Sequence, residues 1–134
     1  MSQTAEGLIV VESGRGPKET MDRLAAAVTA RGMAIVARID HAKAAESVGL
    51  SLRPTEVLVF GNSRAGTPLM QAAATLAIDL PLKTLVWQDE SGKTWVSHDD
   101  PAWLARRHRL APADHPSVRA MTDALAVVVS EATR

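Results

Sequence analysis

The chain has 134 residues, 46% of them apolar and 22% charged, and its fifteen basic and fifteen acidic side chains cancel. That length fits one domain with a substantial core, and the balance leaves no excess positive charge for a nucleic-acid or membrane-surface role. Cysteine is absent, which excludes disulfides, thiolate catalysis and cysteine-held metal clusters.

The first residues, Met1–Gly7, are polar and contain no apolar h-region, so no signal peptide is expected there. Leu8-Ile9-Val10-Val11 has the composition of a buried strand. Pro17 suits the first turn of a helix, where its missing N–H costs nothing. Met21, Leu24, Ala25 and Val28 follow at three-four spacing and give that helix an apolar face, and Gly32 stops it. Met33–Ile39 is the next expected strand, with Ile35 and Ile39 on one face and Val36 on the other. Asp40 is placed to cap a short helix over His41–Val48, closed by Gly49.

Pro54 precedes a third strand, Glu56–Phe60. A Gly61-Asn62 turn should follow, with Thr67-Pro68 capping a helix over Pro68–Leu76. Leu82–Gln88 is the fourth strand. The stretch from Leu69 to Trp87 is the most apolar of the chain, but Asp79, Pro81 and Lys83 keep it from spanning a bilayer. A cytoplasmic protein is therefore expected. Asp89-Glu90-Ser91-Gly92 forms a hairpin turn into Thr94–His98. With Gly92 left-handed in a three-residue loop, Trp87 falls opposite Trp95. Asp99-Asp100-Pro101 opens a helix over Ala102–His108. A last helix from Pro116 carries the stripe Val118, Met121, Leu125, Val128 and Ala132.

Chemistry concentrates at the third strand's end. Gly61, Asn62, Ser63 and Arg64 would offer free N–H groups, an amide and a cation to an anion or carbonyl group. The ending Gly-Lys-Ser/Thr of a Walker A loop is missing. The competing reading is a turn followed by a helix cap. Lys83 could add a positive charge beside Asn62, or simply snorkel at a strand end. Asp40-His41 could be a carboxylate-oriented general base or, more simply, a cap and the first helical residue. The candidate ligand-binding residues are thus Asp40, His41, Asn62, Arg64 and Lys83.

Other clusters are weaker. His98, Asp99, Asp100, His108 and His115 match no metal-ligand spacing, so no metal and no cofactor is expected. Arg106-Arg107-His108-Arg109 complements a helix dipole. Trp103 with Met21, Met33, Met70 and Met121 fits core or dimer interface better than a cofactor pocket. No Gly-x-Ser-x-Gly elbow surrounds any serine.

The ordered set Ile39-Asp40-His41-Ala42, Ala45 and Gly49, Leu52–Phe60-Gly61-Asn62, Gly66-Thr67, Leu80-Pro81-Leu82-Lys83, and Asp100-Pro101 with Leu104-Ala105 resembles domain-of-unknown-function family 302 (DUF302). The resemblance runs from about residue 8 to 108, with the helix at about 116–132 as an addition. It carries no established activity. It implies a small α+β domain with a mixed sheet, often dimeric. Ser63 stands where the family often has Pro after the Gly-Asn pair.

The expectation is a single α+β domain over 1–134, with a mixed sheet of about five strands and helices mainly on one face. A parallel doubly wound sheet is the alternative. Function is expected to be the binding of a small anionic or carbonyl-containing ligand at the Gly-Asn loop, together with homodimerisation. An enzyme using Asp40 and His41, or a purely structural dimerisation module, is the alternative.

Overall fold

The computed structural model describes residues 5–134. Its elements follow in the order β1 (Leu8–Ser13), α1 (Pro17–Ala30), β2 (Ala34–Asp40), α2 (His41–Glu46), β3 (Thr55–Gly61) and α3 (Ser63–Ala72), then a 3-10 turn over Ala74–Ile78. After these come β4 (Leu82–Gln88), β5 (Thr94–Asp99), α4 (Pro101–Arg107) and α5 (Pro116–Thr133). The strands form one sheet in the order β1-β5-β4-β3-β2.

The domain is α+β with five strands, but every neighbouring pair is antiparallel rather than mixed. Connection lengths explain this. Helix α2 has six residues and rises about 9 Å, while the seven-residue β2 runs roughly 23 Å. Such a short helix does not carry the chain back along the strand, so β3 starts at the end where β2 stopped. Helix α3 and the 3-10 turn pack on each other, and the chain likewise re-enters as β4 at the end it left.

Helix α1 begins with Pro17, and Gly32 at φ 77° follows its end. Its face of Met21, Leu24 and Val28 is fully buried. The stripe of α5, Val118, Met121, Leu125, Val128 and Ala132, is buried too. These two helices pack side by side and meet the sheet through Leu58, Phe60, Val86 and Val96. Each fully buried aliphatic side chain contributes about 1.5–3 kcal/mol. The other sheet face presents Val57, Val59, Leu85, Trp87 and Trp95, all only half-buried.

The hairpin forms as its turn residues require. Gly92 has φ 86°, and Trp87 lies directly opposite Trp95, the two rings stacked 6.2 Å apart at 26°. Asp89 organises the turn: Oδ1 accepts from the N–H groups of Ser91 (2.9 Å) and Lys93 (3.0 Å), and Oδ2 from Trp95 Nε1 (2.8 Å). The Trp95 bond, followed by those of Ser91 and Lys93, holds its carboxyl down at about 2.

Two local expectations change. A β-bulge between Ile35 and Ala37 leaves Val36 without a partner. Ile35 then lies opposite Phe60 and Ile39 opposite Val57, so the two isoleucines fall on opposite faces. Helix α3 begins at Ser63, not Pro68, because Asn62 rather than Thr67 is the cap. Pro68 sits inside the helix at an exposed position, where it forgoes one backbone hydrogen bond.

Candidate functional site

The junction of β3 and α3 is built by Asn62. Its Oδ1 accepts from the Arg64 N–H at 2.9 Å, and its backbone carbonyl accepts from Ala65 and Gly66. Gly61 is not a turn residue. It is extended, the last residue of β3, and pairs with Ala34. A Cβ there would lie 3.3 Å from Pro81 Cβ, so glycine lets the strand end press against the β4 entry loop. The cluster of open N–H groups expected for an anion is thus mostly consumed by the helix itself. What stays open is the Asn62 amide nitrogen, which has no hydrogen-bond partner among the described residues. The Oδ1 bond fixes which end of the amide is which.

Beside this junction lies a cleft of about 290 Å³. Its walls come from the start of β2, from α3, from Leu80-Pro81 and from α5. Met33, Met70 and Met121 line it with Leu80, and Gly61, Asn62 and Ser63 form its polar corner. No lining residue is charged. The methionines were expected in core or interface. Met21 and Met121 are in the core and Met33 and Met70 pack against it, and Met33, Met70 and Met121 also converge on this cleft from separate elements. Trp103 is elsewhere. Its ring lies over Gly7, where a Cβ would overlap it, and Nε1 donates to Glu6 at 2.9 Å.

The five candidate residues do not form one site. Asp40 lies opposite Glu56, whereas Gly61 lies opposite Ala34, and the five steps from Glu56 to Gly61 span about 17 Å. Asp40 and His41 therefore sit at the far end of the β2–β3 pair from Asn62. Asp40 Oδ1 accepts from the Lys43 N–H at 2.9 Å as the cap of α2, and both residues are exposed. Lys83 lies opposite Val59, nearer the Asn62 end. Its Nζ donates to the carbonyls of Asp79 (3.1 Å) and Pro81 (3.4 Å) and does not line the cleft. Arg64 is exposed and forms no ion pair among the described residues. Asn62 and Arg64 stay together by chain adjacency.

A second polar cluster had no signal in the sequence, because its members are far apart along the chain. His108 bridges Asp79 Oδ2 (2.5 Å, through Nε2) and Thr75 Oγ1 (2.8 Å, through Nδ1), and Arg107 donates to the same carboxylate at 2.6 Å. Partial burial pushes the Asp79 carboxyl up, but the bonds from His108 and Arg107 outweigh that and hold it below its ordinary value. The cluster fastens α4 to the loop that carries Leu80-Pro81. His98 is separate, its Nδ1 2.9 Å from the Asp99 carbonyl. Among the described residues no three histidine or carboxylate side chains group as metal ligands.

A third group joins α1 to the sheet. Arg38 donates to Glu56 at 2.8 Å and to Asp22 at 2.9 Å. Bonds from Lys18 and then Arg38 lower the Asp22 carboxyl, and Glu56 first of all raises Arg38.

Comparison with known proteins fits this architecture. The chain belongs to the family described as Domain of unknown function DUF302, whose model matches residues 9–128 and so reaches well into α5. A solved structure, the crystal structure of uncharacterized conserved protein DUF302 from Bacillus stearothermophilus, shares the fold with a TM-score of 0.83 at 21% identity, covering 97% of this chain and 100% of that one. Curated relatives include Fluoride-specific ion channel FluC 1 of Brucella suis biovar 1 (strain 1330) and of Brucella abortus biovar 1 (strain 9-941). Each is 43% identical over 126 residues, which is 94% of this chain and 50% or 47% of the relative. The chain thus spans about half the length of the curated relatives it matches. Among the described residues no helix is long and apolar enough to cross a membrane.

Proposed function

We propose that this DUF302 domain binds a small ligand bearing a carbonyl or anionic group at the Asn62 corner of the methionine-lined cleft. One observation carries the reading. The exposed Asn62 amide is oriented by its own cap bond, its nitrogen has no partner among the described residues, and it lines an uncharged cleft. A positioned donor at the edge of an apolar concavity is the usual pattern of a small-molecule site. Arg64, two residues on, is exposed and does not line the cleft, so the neutral amide is the donor the corner offers. The acid–base alternative needed His41 and Asn62 in one cleft, and their places at opposite ends of β2–β3 give it no support.

The test is a stability screen against small carboxylates, carbonyl compounds and inorganic anions, fluoride included. Asn62→Asp keeps the cap acceptor, because Asp caps as well as Asn, but removes the amide donor and adds a negative charge. A ligand that raises the melting temperature of the parent and not of Asn62→Asp supports the reading. The same shift in both proteins overturns it.

Homodimerisation through the open sheet face belongs to the same proposal. Val57, Val59, Leu85 and the Trp87–Trp95 pair lie together there and are only half-buried, and zero net charge opposes association little. Sedimentation of the parent and of Leu85→Glu distinguishes a dimer broken by charge from a monomer in both. In the Brucella relatives, we read the matching half as a domain appended to the channel.

A further inference from the structure

We infer that the occupant of the cleft is an aliphatic monocarboxylate of medium length, with its hydrocarbon chain along the methionines and its carboxylate at Asn62. This rests on the ligand-binding reading above and adds the body of the ligand to its head. An inorganic anion would use only the Gly61–Ser63 corner. The rest of the cleft has no charged lining residue, and its walls are thioether and aliphatic groups. A sugar or nucleotide would leave its hydroxyl or ring-edge groups without partners on such walls.

Size points the same way. A volume of about 290 Å³ lies at the small end of ligand sites, which run from about 300 Å³ upward, and suits a short aliphatic chain better than a larger metabolite. Shape is permissive along the chain, since Met33, Met70 and Met121 are unbranched and adapt to a flexible neighbour. Polar complementarity exists at one end only. The Asn62 nitrogen can donate there, and no carboxylate side chain lines the cleft to repel the head group.

The experiment follows the methionine ε-methyl signals of the whole chain by NMR during titration with sodium acetate, butanoate, hexanoate and octanoate. Expected are shifts at Met33, Met70 and Met121 but not Met21, and a dissociation constant that tightens about fourfold per methylene up to octanoate. Ala120→Glu places a carboxylate on the cleft wall at an exposed position of α5, where the helix tolerates it. It should weaken octanoate at least tenfold with an unchanged melting temperature. Acetate and octanoate binding equally well, both sensitive to Asn62→Asp, would overturn the aliphatic body and leave the head-group reading intact. Octanoate binding unaffected by Asn62→Asp would overturn the carboxylate placement and that reading with it. Uniform shifts at all methyls, or none with any acid, overturn the inference as well.

Discussion

His108 Nε2 lies 2.5 Å from Asp79 Oδ2, and this contact, with that of Arg107 to the same carboxylate, joins the end of α4 to the loop entering β4. Because Leu80 and Pro81 follow directly and wall the cleft, the pair steadies the cleft from behind. Asp79→Asn would remove the charge from this contact and from that of Arg107. Allowing for partial exposure, a loss of about 1 kcal/mol is expected, measured by denaturant unfolding of parent and variant at neutral pH. No loss would mean that the cluster is decorative.

Acid should destabilise the protein through its depressed carboxyls. Asp89 is held at about 2, and Asp22 and Asp79 are also lowered. A group depressed in the folded state contributes its stability above the unfolded value, roughly 3.9, and loses it as pH falls through the folded one. The melting temperature should therefore be flat in this respect above about pH 5 and fall steadily toward pH 2. Asp89→Asn should melt lower at neutral pH and show a shallower acid decline, since its contribution is already gone. Parallel curves for variant and parent would contradict the assignment.

Capping at Asn62 is separable from ligand contact. Asn62→Ala should cost about 1 kcal/mol and Asn62→Asp only a few tenths, read from the denaturation midpoint. Equal losses would place the helix start elsewhere than Ser63.

Methionines should divide by environment. Met21 is fully buried among α1, α5 and the sheet, so Met21→Ala should cost about 2–5 kcal/mol. Met33 is half-buried on an existing cleft, where truncation enlarges a space already open. Met33→Ala should cost under about 1 kcal/mol. Similar costs for the two would mean the cleft closes in solution.

Gly7 is a backbone test. At φ 75°, with the Trp103 ring over it, Gly7→Ala combines left-handed strain with a clash against the indole. A loss above about 1 kcal/mol is expected, with Trp103 fluorescence changing in the folded state.

Features that a short window encodes were legible from the amino acids alone. The α1 face, the α5 stripe and the left-handed Gly92 that sets Trp87 against Trp95 all depend on residues within a few positions of one another. The start of α3 was misplaced because two local signals compete. Thr67-Pro68 looks like a cap with proline behind it, but Asn62 caps earlier and the helix absorbs the proline. Ile35 and Ile39 change faces through a bulge that no periodicity announces. The cleft was illegible for a different reason: Met33, Met70 and Met121 meet only once three elements are packed. Asp79 and His108 likewise become neighbours through tertiary structure alone.

The pairing of β1 with β5 has a consequence for the order in which the molecule assembles. Among the described residues β5 is the sole strand neighbour of β1, and β5 is the last of the sheet's five strands to be synthesised. Val10 and Val11 must therefore wait, unpaired, until nearly the whole sheet has been synthesised, and α5, which with α1 covers the face that Val11 shares with Val96, comes later still. Completing the sheet thus requires closure of a long loop, which slows folding, and a nascent fragment ending before β5 lacks the strand that pairs with its first.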